Sequence, residues 1–184
     1  MGNRFDLGAR RGLRGRMRNA ARLVLVLLIG SLCLPGPARA ADDVVDGGYV
    51  KLGFDRLASY PFTVPSLEPA ADGKLATGEE QIPAGIKAYD GRKAVVTGFM
   101  LPVKMNGGLV KEFLLVKDPM MCCYGAVPNM NEWVVVRMKG DGVRPLMDVP
   151  VSLYGDLKIG AFFENGFLTG IYEMQGDRLT ELGG

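Results

Sequence analysis

The sequence predicts a mainly all-β domain, five strands closed into one small barrel behind an irregular N-terminal extension. Three observations predict it. Short β-branched and aromatic runs recur from Arg92 to the C-terminus, turn residues separate them, and no run in that half shows a sustained helical period.

Ala94-Val95-Val96-Thr97-Gly98-Phe99-Met100-Leu101 is the first expected strand, with Gly98 at a bend or bulge. Asn106-Gly107-Gly108 is a hairpin signal. Lys111–Lys117 is the second strand and Glu132–Met138 the third, with a loop from Asp118 to Asn131 between them. Pro150–Leu157 is the fourth. Phe167–Met174, launched by Asn165-Gly166, is the fifth. Five strands at this spacing suit an OB-like barrel, a small β-sandwich being the alternative. Glycines at 98, 155 and 170 fall where tight curvature needs them.

Upstream, the reading is of processing and then of irregular chain. Seven arginines between Arg4 and Arg22 are opposed only by Asp6, and twelve apolar-rich residues run from Leu23 to Leu34. Pro35-Gly36-Pro37 follows, then Ala38-Arg39-Ala40 before Ala41. This is the pattern of a cleaved secretory signal over residues 1–40. The apolar run falls short of the roughly 20 residues that span a bilayer, so no stable membrane anchor is expected. Arg10-Arg11 lies too far from the apolar core to indicate the twin-arginine route, and Leu32 is too bulky for lipid attachment at Cys33. Residues 41–81 read as an irregular extension, with Tyr49–Phe62 packing one edge of the domain and a proline-bearing connector from Pro61 to Thr77. Residues 82–184 form the barrel domain, entered through a short helical turn or lid at Ile82–Tyr89.

Processing inverts the charge. The full chain is slightly basic at +2, but the first 40 residues hold eight arginines and one aspartate. The remaining 144 residues carry 14 basic and 19 acidic groups, a body about five charges negative. Nucleic acid is therefore excluded as a nonspecific partner, since its phosphates need clustered Lys and Arg. The chain contains no histidine, which removes the commonest metal ligand and the commonest acid–base catalyst. A catalytic thiol would lack its usual base, so a noncatalytic role is expected.

The chemistry concentrates in Met120-Met121-Cys122-Cys123, four sulfurs in succession within the expected loop. In an oxidising compartment, neighbouring thiols are bridged, buried, metal-bound or reactive. Adjacent Cα atoms lie about 3.8 Å apart, below the 4.4–6.8 Å or so that disulfides prefer, so a bridge between them is strained and reducible. Zinc sites space their cysteines by two to four residues, which makes zinc the lesser candidate. A soft ion such as Cu(I) favours thiolate and thioether, with Met120, Met121 and Met130 as helpers to Cys122 and Cys123. The bland reading is that one cysteine fills the barrel and the other packs beneath the loop. Asp118, Asn129, Asn131 and Glu132 read as turn caps before oxygen ligands. Trp133, Met100 and Met138 read as core, and Glu79-Glu80 as a solvated pair.

The strings Gln81-Ile82-Pro83-Ala84, Asp90-Gly91-Arg92-Lys93, Gly98-Phe99-Met100-Leu101-Pro102, Cys122-Cys123-Tyr124-Gly125, Pro128-Asn129-Met130-Asn131-Glu132-Trp133-Val134 and Gly155-Asp156-Leu157 resemble the DUF3299 family of exported bacterial proteins. The resemblance spans about Ile82 to Leu179. It implies an OB-like periplasmic domain and, as partner, a transporter component, as in metal uptake, or another periplasmic protein. Two functions follow: a binding or transport-accessory module that uses the Cys122–Cys123 loop, or a thiol–disulfide redox protein. The redox reading lacks a C-x-x-C motif and a βαβ pattern.

N-terminal sequencing of the exported form is expected to begin at Ala41. A membrane-retained product still carrying Leu23 to Leu34 would contradict the signal assignment.

Overall fold

The computed structural model describes residues 44–66, 76–120 and 128–182. The expected signal segment, part of the proline-bearing connector, and Met121, Cys122 and Cys123 lie outside the described residues.

Among the described residues seven strands form one sheet: β1 (Val44–Val45), β2 (Tyr49–Leu52), β3 (Lys93–Asn106), β4 (Leu109–Val116), β5 (Trp133–Met138), β6 (Pro150–Glu164) and β7 (Phe167–Glu181). The all-β class is as the sequence predicts. The last five strands pair in a ring, β3–β4–β5–β7–β6 and back to β3. All of these pairings are antiparallel except β5–β7. β3 serves two neighbours in succession, pairing β6 from Lys93 to Phe99 and β4 from Phe99 to Asn106.

Alternation decides which side of each strand faces the core. In β4, Phe113 and Leu115 are fully buried while Glu112 and Leu114 face outward at intermediate exposure. In β5, Val134 and Val136 are fully buried between half-buried Trp133, Val135 and Arg137. The register sets Phe113 opposite Val136, and Leu115 opposite both Val134 and Met100. The inward rows therefore run continuously from strand to strand. Burying a side chain such as Phe113 contributes about 1.5–3 kcal/mol.

Two tight turns set the hairpins. Gly107 and Gly108 both have positive φ (56° and 80°), as do Asn165 and Gly166 (51° and 84°). Each pair is a two-residue link of the mirror-image type whose twist matches its strands. The sequence signals at both places correspond to these turns.

Three expectations need correction. Residues 44–66 are not an irregular extension: β2 joins the sheet parallel to β3, and a short helix, Phe54–Leu57, follows it. Val50, Leu52, Phe54, Leu57 and Phe62 all enter the core cluster, so no boundary falls at residue 82. The Val50-Lys51-Leu52 alternation is too short to stand out among the Asp and Gly residues around it. β6 and β7 run seven residues beyond their expected ends and pair as one long hairpin, from Val151 opposite Glu181 to Glu164 opposite Phe167. Finally, Gly98 is not a bulge. Pairing with β6 is continuous through it, and the register shift in β3 comes later, between Pro102 and Lys104. Gly155 and Gly170 do border register shifts between β6 and β7.

Gly98 is there for space. A Cβ at this position would meet the Val116 carbonyl oxygen at 2.6 Å and the Phe54 ring at 3.0 Å. Gly98→Ala is therefore expected to cost about 1–3 kcal/mol, the range for overpacking a tight site. Urea unfolding measures it, and an unchanged midpoint would contradict this close packing.

Candidate functional site

The cysteine-bearing segment leaves the sheet at the end of β4 and returns at the start of β5. Both ends are fixed. The Lys117 N–H donates to the Glu132 carbonyl at 3.0 Å, extending the ladder one step beyond β4. Above it, the Lys117 ammonium pairs with Glu132 Oε1 at 3.2 Å. The other carboxylate oxygen of Glu132 accepts from the Asn129 backbone N–H at 3.0 Å and from Asn129 Nδ2 at 3.1 Å. Asn129 thus caps the single 3-10 turn Met130–Glu132 in a reciprocal capping box. At the outgoing end, Asp118 Oδ1 accepts from the Met120 N–H at 2.8 Å. Asp118, Asn129 and Glu132 therefore act as turn caps, as their positions suggest.

The foot of the segment is tied into the core by a second network. Asn131 is almost fully buried, and its amide donates to the Tyr60 carbonyl at 2.5 Å. The hydroxyls of Tyr60 and Tyr172 lie 2.8 Å apart, and Tyr172 donates to the Leu57 carbonyl at 2.8 Å. With its proton committed to Leu57, Tyr172 accepts from Tyr60. Burial, reinforced by Tyr60, pushes the Tyr172 phenol far above its ordinary range. Tyr172 is therefore a neutral structural donor at any physiological pH. Sequence reasoning missed this network because it joins residues more than 70 positions apart.

Glu132 is the electrostatic centre of the foot. Burial pulls its carboxyl pKa up, but the Asn129 backbone N–H and the Lys117 ammonium outweigh it and hold the group below the usual glutamate range.

Of the sulfur residues proposed as a site, the structure describes Met120, whose side chain is half exposed next to the segment. Met130 is buried in the core cluster, so it is not available as a helper ligand. Met100 is core, and Met138 and Trp133 pack against it, as expected. Among the described residues no group of three Cys, Asp or Glu side chains gathers in metal-binding array.

A second concavity, absent from the sequence reading, lies on the outer face of β4 and β5. It is a cavity of about 250 Å³ lined by Val103, Glu112, Phe113, Leu114, Val135, Arg137, Glu164 and Thr169. Arg137 donates to Glu173 at 2.8 Å, pairs closely with Glu164, and approaches Glu112 at 4.0 Å. The hydrogen bond to Glu173 raises its already high pKa despite opposing burial. Alternation places Arg137 on the outer face. Only the register shows that three strands bring carboxylates to it.

A family of proteins of unknown function, DUF3299, matches residues 70–181. The chain belongs to the DUF3299 family. A solved DUF3299 protein from Pseudomonas aeruginosa PAO1 is similar at 25% identity and a TM-score of 0.53, over 74% of this chain and 97% of that one. A putative aspartyl-tRNA synthetase from Leishmania major Friedlin aligns at 8% identity and a TM-score of 0.37, over 88% of this chain and 26% of that one. No curated protein matches the chain in sequence. The DUF3299 match contains both ends of the cysteine-bearing segment and the whole lining of the outer concavity. It also begins before residue 82, further upstream than the motifs alone indicate.

Glu132→Gln tests the foot. A carboxylate whose folded pKa is depressed stabilises above its unfolded pKa, and that stability is lost as pH falls through the folded value. The variant is expected to be less stable than the parent by about 1 kcal/mol at pH 7. The gap should narrow as pH drops below about 4. Urea titrations at several pH values measure it, and a gap independent of pH would show that the charge contributes nothing.

Proposed function

We propose that this DUF3299 protein is an exported, noncatalytic binding module of the periplasm, centred on Cys122 and Cys123. The observation that carries the reading is the anchoring of their segment. Seven residues, 121–127, separate Met120 from Pro128. Outside them, Lys117, Asn129 and Glu132 are locked to one another, and Asn131 is locked to the core. Such a base fixes both ends of the segment, and fixed ends lower the entropy lost on binding. Met120, half exposed beside the segment, supplies a thioether of the kind that soft ions accept. The ligand in this reading is a soft ion such as Cu(I), with zinc second, and the partner is a transporter component or another periplasmic protein. The N-terminal arginine and leucine pattern supports export. Among the described residues no helix is long and apolar enough to cross a membrane.

Native mass spectrometry of the chain from Ala41, with and without reductant and titrated with Cu(I), tests the site against Cys122→Ser/Cys123→Ser. The reduced parent is expected to take up the ion, and the double variant to melt normally without doing so. Loss of two hydrogens without metal uptake would favour the redox reading. An unfolded double variant would make the cysteines packing or bridging residues. Equal metal uptake by both proteins would move the site elsewhere.

A further inference from the structure

The outer concavity carries an inference independent of the cysteines. We infer that it is a docking groove for an extended peptide segment of a partner protein, one that places an aliphatic side chain beside a lysine or arginine.

Size argues first. At about 250 Å³ the cavity falls below the roughly 300–1,000 Å³ of small-molecule and cofactor sites. It has room for one or two aliphatic side chains. Leu114, Val103 and Val135 supply apolar wall. The apolar surface continues beyond the cavity, because Val103 is 65% exposed, and Phe167, on the β6–β7 hairpin that supplies Glu164 and Thr169, is 62% exposed. An elongated ligand can use both.

Charge argues second. Arg137 donates to Glu164 and Glu173, and Glu112 stands 4.0 Å from its Nε, so its charge is already countered within the protein. Among the described residues the other cation ion-paired with this cluster is Lys104, which reaches Glu112 at 3.3 Å. Three carboxylates therefore share two ion-paired cations, with Lys158 exposed opposite Glu173 on β6. Glu164 is more than half exposed, and each carboxylate oxygen can accept more than one bond. The rim is built to receive a further cation. An incoming phosphate or carboxylate would meet the surplus acid and find Arg137 engaged, which disfavours oligonucleotides and acidic peptides.

The test uses the chain from Ala41. Its probes are a fluorescein-labelled hexapeptide of alternating leucine and lysine, the same peptide with glutamate for lysine, and a labelled oligothymidylate. The lysine peptide is expected to raise the anisotropy, with the glutamate peptide and the oligonucleotide at least about tenfold weaker. Leu114→Lys fills the groove with the wrong charge and is expected to weaken the lysine peptide by about tenfold or more. Methyl resonances of Val103, Leu114 and Val135 in the unmutated chain should shift on binding, a readout that stands even if the variant fails to fold. Equal binding of the two peptides, preference for the oligonucleotide, or binding that leaves those methyls unmoved would overturn the inference.

Discussion

Pairing of β6 with β3 is the constraint on which the rest of the structure depends. Lys93 to Phe99 bond to Pro150–Asp156, and this ladder joins the two ends of an otherwise open run of strands. The opposite edge of that stretch is held by β2 at Ala94–Val96, so β4 pairs with the remainder of β3, Phe99 to Asn106. The strand must then be long, and it must shift register near Val103. β2 in turn pairs with β3 at Ala94–Val96, which brings Phe54 against Gly98 and the end of β4. A side chain at Gly98 would therefore strain the ladder and the helix packing together.

The five main strands were legible because each is a β-branched run with glycine or asparagine punctuation, and those signals are local. Lys111–Lys117 against the observed Leu109–Val116 differs by two residues at the start and one at the end. The long hairpin of β6 and β7 was not legible past Leu157, because Lys158-Ile159-Gly160-Ala161 interrupts the apolar alternation. It is held there instead by its partner strand, and by Asp90 accepting from the Ile159 N–H at 2.8 Å. The role of Asn131 was half legible: a turn asparagine was expected, but burial against the Tyr60 carbonyl depends on a segment 71 positions upstream. The sulfur cluster was the clearest chemical signal in the sequence, and three of its four residues lie outside the described chain.

The two candidate regions use charge in opposite ways. At the foot of the cysteine-bearing segment, one carboxylate is saturated by one ammonium, a backbone N–H and an amide. That arrangement leaves little capacity for a ligand and serves to fix geometry. At the outer groove, a single guanidinium is shared among three carboxylates on three strands. Sharing leaves acceptor capacity unspent, which is the property a cationic ligand requires. Surface ion pairs contribute little to stability, a fraction of a kcal/mol each, so the groove cluster is poorly explained as a stabilising device.

Trp133 connects the two regions. It directly follows Glu132, and its indole N–H donates to the Thr169 carbonyl at 3.4 Å, on the residue that lines the groove from the β6–β7 hairpin. Its neighbour two positions on, Val135, is groove wall. A shift of the foot therefore moves a ring that rests against the hairpin, and a shift of the hairpin is passed back to the start of β5. Side chains that share a partner do not vary independently, and their mutational effects deviate from additivity. Variants of Glu132 and of the groove must on this geometry be compared singly and in combination, because a loss of peptide binding in a foot variant can arise through Trp133 without any contact between the peptide and the foot.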